Sequence, residues 1–253
     1  MKRKNEGNKG LFFILFILFI VVIFCFYNQG WFDFGGSKKE AIVLEKKVES
    51  PILKEYKIEV GKINEKVNGA SIDAEYPIFN NESVDKEVKL FIDGKIKDFK
   101  DSFSAGLDID STDQFLNISY ESNKYTRNIF SIKFSIIYGG GIHPIEDVDC
   151  RTYNLDTSRE IKLKDVFKEN SGYLNKISGL VYSELMKNDG ADSAWVSDGV
   201  TPKEENFSKF VLKDDSIFFY FSPGVVASNI AGVKEVRLSL ITVKLFLSNL
   251  LDQ

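Results

Sequence analysis

The segment QFLNISYESNKYTRNIFSIKFSIIY, residues 114–138, contains two runs in which apolar and polar side chains alternate. Alternation with a period of two is typical of a strand that buries one face. The runs cover residues 114–123 and 126–138, and the short region Ser122-Asn123-Lys124 suits a hairpin turn. The segment therefore predicts two long antiparallel strands.

The residues before this segment follow a helical period instead. Between residues 83 and 103, apolar side chains recur every three or four positions, which predicts an amphipathic helix packed on a sheet, with Ser83 as its N-cap. These apolar residues are Val84, Val88, Phe91, Ile92, Ile96 and Phe99. We expect them to belong to the hydrophobic core.

The remaining patterns complete an α+β fold with a mainly antiparallel sheet covered by helices. Further strands are predicted at 52–67, 72–79, 151–156, 210–221 and 233–240, and helices at 163–187 and 241–251. Gly172 and Gly179 could divide the first of these helices into two pieces. The order of elements allows two sub-domains, residues 52–113 and 114–253.

The N-terminal region predicts a single membrane anchor. Residues 11–27 read LFFILFILFIVVIFCFY, a run of 17 residues without a charge, close to the minimum of about 17 that spans a bilayer. The preceding stub, residues 1–10, carries a net charge of +3, which places it in the cytoplasm and the C-terminal domain outside. Residues 28–51 are rich in charge, glycine and serine and are expected to be a tether.

Two other interpretations of the apolar run remain open. It could be a cleaved signal peptide, although no small-residue cleavage site follows it. It could also belong to a lipoprotein modified at Cys25, although the bulky Phe24 precedes that cysteine. We predict an uncleaved signal anchor in a bacterial cytoplasmic membrane.

Composition excludes some classes of partner. The chain of 253 residues has a net charge of −4, so the part beyond the cationic stub carries −7. An acidic domain does not suit nucleic acid, whose phosphates require a basic surface. Cys25 and Cys150 are the two cysteines, and the membrane position of the first leaves the external domain without an internal disulfide.

Few residues point to catalysis. His143 is the only histidine, in the run Tyr138-Gly-Gly-Gly-Ile-His143-Pro144, so any His-dependent triad must use it. No nucleophile elbow, phosphate loop or zinc-binding helix motif is present. Residues 143–149 (HPIEDVD) and the aspartates of 108–113 are expected to be solvated acidic loops. Metal binding at either place is the alternative, and we predict no metal or cofactor.

Aromatic residues suggest a binding surface. The run from Phe218 to Phe221 alternates its side chains between two faces and leads into the aperiodic loop 222–228. Aromatic side chains beside a flexible loop often contact proteins or glycans. A strand buried on both faces is the alternative interpretation.

The order of several motifs resembles the RsiV/PdaC-like extracytoplasmic domain family. The motifs are Tyr76-Pro77 before a helix, the Tyr138–His143 glycine run, TYNLD at 152–156, IKLKDVF at 161–167 and FYFSP at 219–223. The resemblance covers roughly residues 55–250 and implies an α+β domain on one N-terminal anchor in bacteria. In RsiV-like members this domain binds lysozyme, and in PdaC-like members it precedes a separate catalytic domain.

This chain departs from both patterns. Its stub of ten residues is too short for an anti-sigma domain, and we expect no deacetylase domain after the shared one. The loop after the aromatic strand reads Gly224-Val225-Val226-Ala227-Ser228 where family members have a Pro-Tyr pair.

We therefore predict a membrane-anchored, non-enzymatic binding or sensing domain of the cell envelope. Its partner is expected to be a lysozyme-like protein or a peptidoglycan fragment, and not nucleic acid. The candidate contact residues are Tyr138, His143, Phe221, Ser222, Pro223 and Asn229. Two alternatives are a structural protein that docks other envelope proteins, and a cell-wall glycan hydrolase or deacetylase that uses His143 as base beside Asp147 or Asp149.

Overall fold

The computed structural model describes residues 55–104, 114–140 and 144–252, which form an α+β fold. The strands are β1 (Glu59–Val67), β2 (Ala70–Ile78), β3 (Phe115–Lys124), β4 (Ile129–Gly139), β5 (Ile145–Asn154), β6 (Arg159–Glu160), β7 (Phe210–Lys213), β8 (Ser216–Phe221) and β9 (Lys234–Ser239). The α-helices are α1 (Glu82–Ser104), α2 (Leu163–Val166), α3 (Tyr173–Leu185) and α4 (Ser193–Gly199). Short 3-10 helices cover Glu204–Phe207, Asn229–Ala231, Leu240–Phe246 and Asn249–Asp252.

The described strands form two sheets. The larger has six strands in the order β1-β2-β3-β4-β5-β6, and the smaller has three in the order β7-β8-β9. All neighbouring pairs are antiparallel except β2 and β3, which α1 connects and which run parallel. The predicted α+β class is confirmed, and the larger sheet is mixed. Strands from both sides of residue 113 share this sheet.

The β3–β4 hairpin confirms the prediction from residues 114–138. Its register pairs Leu116 with Tyr138 and Lys124 with Phe130. Along β4, the alternate residues Phe130, Ile132, Phe134 and Ile136 are at most 2% exposed and pack in the core beneath α1. The period of two in the sequence thus corresponds to one buried face of the sheet.

Helix α1 confirms the predicted helix at 83–103, but the predicted N-cap is wrong. The side chain of Asn81 accepts a hydrogen bond from the backbone N–H of Val84, 3.3 Å away. Its amide nitrogen also donates to the carbonyl oxygen of Leu155 at 2.9 Å. Asn81 therefore caps the helix and attaches it to the end of β5, a contact distant in sequence that local spacing could not reveal.

The smaller sheet lies against the face of the larger sheet opposite α1. The backbone N–H of Leu212 in β7 donates to the hydroxyl of Ser131 in β4 at 3.0 Å, and that hydroxyl also lies 2.9 Å from the hydroxyl of Thr152 in β5. Ser131 and Thr152 are at most 1% exposed. Two buried hydroxyls on this face are therefore satisfied by the second sheet and by each other.

Four predicted elements differ from the structure. The expected single strand at 210–221 is a hairpin of β7 and β8. The expected strand at 151–156 begins earlier, so β5 includes most of the acidic segment that was predicted to be a solvated loop. The expected helix at 163–187 is divided between α2 and α3, with Gly172 in the left-handed conformation (φ 76°) at the start of α3. The expected helix at 241–251 is replaced by two 3-10 helices. Its first residues, Ile241, Thr242 and Val243, are β-branched and favour the α-helix less.

The predicted stub, membrane anchor and tether at residues 1–10, 11–27 and 28–51 lie outside the described residues. Within the described part of the chain, no helix combines the length and the apolar character needed to cross a membrane.

Candidate functional site

A cleft of about 890 Å³ opens where β4 and β5 meet the loop after β8. One wall comes from the end of β4 and the start of β5, and the other from residues 222–232. The lining residues are Tyr138, Pro144, Ile145, Glu146, Asp147, Ser222, Pro223, Asn229, Ile230 and Gly232. The cleft combines aromatic and aliphatic surface with carboxylates, an amide and a hydroxyl, which is a typical composition for a small-molecule site.

Two polar residues of this cleft, Asp147 and Ser222, contact a third polar side chain, Lys209, which does not line the cleft. The hydroxyl of Ser222 lies 2.5 Å from Oδ1 of Asp147 and donates to it. Nζ of Lys209 donates to Oγ of Ser222 at 2.5 Å and lies 3.3 Å from the same Asp147 oxygen. We call Asp147, Lys209 and Ser222 the polar triad. The antiparallel pairing of β7 and β8 creates it, because Lys209 precedes β7 and Ser222 follows β8.

The triad favours the ionised form of Asp147. Burial opposes ionisation, but hydrogen bonds from Ser222 and from the backbone N–H of Val148, together with the charge of Lys209, hold the pKa of Asp147 below its ordinary value. At neutral pH the carboxylate is therefore charged and accepts the Ser222 hydrogen.

This shift predicts a pH-dependent contribution to stability. A carboxyl group with a lowered pKa in the folded state stabilises the protein fully above its unfolded pKa, near 4, and loses that contribution as the pH falls through the folded value. We expect Asp147→Asn to lower the free energy of unfolding at pH 7, and the difference from wild type to shrink below about pH 4. Denaturant unfolding of both proteins between pH 3 and 7 measures this. A difference that stays constant down to pH 3 would contradict the prediction.

Helix α4 supports the loop that forms one wall of the cleft. Nε1 of Trp195 donates to the carbonyl oxygen of Gly224 at 3.0 Å. Gly224 has a positive φ of 83°, and a Cβ atom there would lie 2.4 Å from Oδ1 of Asn229. On the helix, a Cβ atom on Gly199 would lie 2.3 Å from the carbonyl oxygen of Val225. Glycine is therefore required at position 224 in the loop and at position 199 on α4, where the two segments pack closely.

The structure brings together four of the six predicted contact residues. Tyr138, Ser222, Pro223 and Asn229 line the cleft. Phe221 is only 2% exposed, and its ring lies in the core with its centroid 6.3 Å from that of Phe207. It follows the alternation of β8, which turns Phe221 inward. His143 lies outside the described residues.

The sequence did not single out Lys209, Trp195 or Ile230 as site residues. Ile230 is 99% exposed at the rim of the cleft, and Trp195 is 40% exposed behind the loop. Asp147 was considered only as a partner of His143 or as a loop carboxylate. Lys209 and Ser222 lie 13 residues apart in the chain. This spacing matches no sequence motif, because the two residues meet only when the β7–β8 hairpin forms.

The other reactive groups of the described residues are in structural positions. Cys150 is buried between the sheets, and burial raises the pKa of its thiol. The guanidinium of Arg151 lies 3.3 Å from carboxylate oxygens of both Asp149 and Glu160 and 5.0 Å from the ring centroid of Phe91. No group of three or more potential metal ligands occurs within the described part of the chain.

Comparison with known families gives one match. Residues 164–240 match the model of a family described as a protein of unknown function, DUF3298. This segment runs from α2 to the residue after β9 and includes Lys209 and Ser222. It contains the loop side of the cleft, whereas Asp147 precedes it.

Two characterised relatives are named as enzymes. The peptidoglycan-N-acetylmuramic acid deacetylase PdaC of Bacillus subtilis is 33% identical over 169 residues, which cover 64% of this chain and 36% of that protein. The esterase Rv3036c of Mycobacterium tuberculosis is 30% identical over 99 residues, which cover 39% of this chain and 43% of that protein. The matches thus span less than half of each relative.

Two solved structures share the fold. A DUF3298 family member from Bacteroides fragilis has a TM-score of 0.56 at 16% identity, covering 78% of this chain and 96% of that one. A DUF3298 family protein from Pseudomonas aeruginosa has a TM-score of 0.55 at 9% identity, covering 79% and 98%.

These findings correct one prediction and confirm another. The names of the two relatives, a deacetylase and an esterase, contradict the prediction that the chain is not an enzyme. The matches confirm the predicted family on its PdaC side, because sequence, family model and fold agree. The chain therefore contains a DUF3298 match at residues 164–240 and is similar to PdaC over 169 residues.

Proposed function

We propose that this chain is a cell-envelope protein that binds a cell-wall glycan in the cleft between β5 and the loop after β8. In this proposal residues 11–27 anchor it in the bacterial cytoplasmic membrane, residues 28–51 form a tether, and the described domain lies outside. The observation that carries the proposal is the cleft of about 890 Å³ with its mixed apolar and polar lining.

The chemistry of the lining suits a sugar. Sugars present both apolar C–H faces and hydroxyl groups, so a site for them needs flat apolar surface and hydrogen-bonding groups together. Tyr138 and Ile145 provide the first, and Asn229 and Glu146 provide the second. The name of the PdaC relative, which refers to peptidoglycan, supports a cell-wall glycan as the ligand.

A lysozyme-like protein is the second candidate ligand, favoured by two exposed residues at the rim. Ile230 is 99% exposed and Ile145 is 52% exposed. Neighbouring Glu146 adds negative charge to the rim, which would attract a cationic protein. A protein partner would bury both isoleucines, whereas a short glycan inside the cleft needs only part of this surface.

Removing the apolar rim is expected to weaken binding. Because fully burying an isoleucine contributes about 1.5–3 kcal/mol, we expect Ile230→Ser to raise the Kd for lysozyme by about tenfold or more and the Kd for muropeptides by a smaller factor. The side chain is exposed in the free protein, so folding should be unaffected. Isothermal titration of the full chain in detergent with disaccharide-tetrapeptides, and separately with lysozyme, measures the effect.

Ile241→Ser provides the matched control. Ile241 is 77% exposed on the 3-10 helix Leu240–Phe246 and does not line the cleft. Its replacement should leave the Kd unchanged. Heat of binding with lysozyme alone would favour the protein ligand over the glycan, and no heat with either would contradict the proposed function.

A further inference from the structure

The polar triad has an arrangement that a structural contact alone does not require. The hydroxyl of Ser222 gives its hydrogen to a carboxylate and receives a hydrogen from an ammonium group on the same oxygen. An adjacent base that accepts the proton is one means by which proteins activate a hydroxyl nucleophile, and a neighbouring cation favours negative charge on the oxygen. The three groups come from separate elements, β5 and the two ends of the β7–β8 hairpin.

Two members of the triad are accessible from the cleft. Ser222 and Asp147 both line the cleft, and the side chains of Asp147 and Lys209 are 29% and 31% exposed. A ligand carbonyl in the cleft could therefore reach Oγ of Ser222.

We propose that Ser222 is the nucleophile of an acyl-ester hydrolase that removes short acyl groups from the hydroxyls of cell-wall sugars. Asp147 is the general base, and Lys209 stabilises the negative charge that develops on the acyl oxygen. This inference rests on the proposed binding of a glycan in the same cleft and names the bond on which the site acts. The esterase among the relatives agrees with this class of substrate.

The reaction has two steps. In the first, Oγ of Ser222 forms a bond to the acyl carbon, its proton passes to Asp147, and Asp147 returns that proton to the sugar oxygen as the sugar–acyl bond breaks. In the second, water attacks the acyl-serine, Asp147 takes a proton from the water, and this proton passes to Oγ as the carboxylic acid leaves. The ammonium of Lys209 stabilises the oxyanion.

The chemistry favours an ester over an amide. The base is a carboxylate whose pKa is held low, so it is a weak proton acceptor and, once protonated, a strong acid. A sugar alkoxide leaves readily with help from such an acid. An amine is a much poorer leaving group than a sugar alkoxide. In the adduct of an amide substrate, the bond to Ser222 would therefore break again and release the intact amide before the amine could leave.

Covalent labelling tests the nucleophile directly. The full chain in detergent is treated with a fluorophosphonate probe, and acyl release is measured with p-nitrophenyl acetate and with O-acetylated peptidoglycan. We expect Ser222 to carry the label, and Ser222→Ala to abolish labelling and to reduce kcat/KM by about 100-fold or more. Asp147→Asn should reduce the labelling rate.

Ser208→Ala is the matched control, because this exposed serine adjoins Lys209 in sequence but donates its hydrogen to the backbone carbonyl of Glu205. It should label and react like wild type. Thermal unfolding of all variants shows whether they fold. Absence of label in the wild type, or equal labelling of Ser222→Ala, would overturn the inference.

Titration with muropeptides separates this inference from the proposed function. If Ser222→Ala binds the glycan but neither labels nor releases acetate, both stand. If wild type labels at Ser222 without binding the glycan, the proposed ligand fails while the nucleophile remains. If the glycan binds but Ser222 does not react, only the inference fails.

Discussion

Replacing Phe130 with alanine is expected to lower the free energy of unfolding by about 3–5 kcal/mol, the usual cost of removing a buried phenylalanine. Phe130 is 2% exposed at the centre of the core between α1 and the larger sheet. Its ring makes edge contacts with Phe79 and Tyr56, with centroids 5.6 and 6.3 Å away. Truncation removes these contacts and leaves a cavity that the strands cannot close.

Urea unfolding monitored by circular dichroism measures this loss. Leu90→Ala is the control, because Leu90 lies on α1 but is 60% exposed. Its replacement should change the free energy of unfolding by no more than about 0.5 kcal/mol. Similar losses for the two variants would mean that the core lies elsewhere than between α1 and β4.

Replacing Gly199 with alanine is expected to affect both stability and the cleft. The added Cβ would lie 2.3 Å from the carbonyl oxygen of Val225 and 2.7 Å from Cγ1 of Val226, distances that require the loop to move. Such overpacking typically costs about 1–3 kcal/mol. Because this loop carries Ser222 and Pro223 into the cleft, we also expect weaker glycan binding.

Gly179→Ala provides the matched control. Gly179 is an exposed residue within α3, and a Cβ there would meet no atom within 4 Å. Alanine at this position should stabilise the helix by up to about 1 kcal/mol. Urea unfolding and isothermal titration of both variants distinguish the two positions. If Gly199→Ala unfolds and binds like wild type, α4 does not support the loop.

The periodic segments were predictable because burial of one face imposes a local pattern. The hairpin of residues 114–138 and the helix at 83–103 have periods of two and of about 3.6 that tertiary contacts did not override. The segment 144–149 was not predictable in this way. Pairing with β4 makes it part of β5, although its charges favour a loop by themselves.

The candidate site was predictable only in part. Tyr138, Ser222, Pro223 and Asn229 were identified from the sequence and line the cleft. The partners that give Ser222 its chemistry were not, since Asp147 lies 75 residues away and Lys209 lies across a hairpin. Residues that are far apart in the chain and form hydrogen bonds have no regular spacing that a single sequence could reveal.

The sequence alone determined the α+β class, the principal strands, helix α1 and the resemblance to the PdaC-like family. Each of these follows from periodic hydrophobicity or from ordered motifs, which are properties of contiguous residues. Only the tertiary structure decided which polar groups meet. The second sheet packs on β4 and β5 through Ser131, and the β7–β8 hairpin then brings Lys209 and Ser222 to Asp147. These contacts join residues far apart in the chain, so packing of the two sheets creates the site.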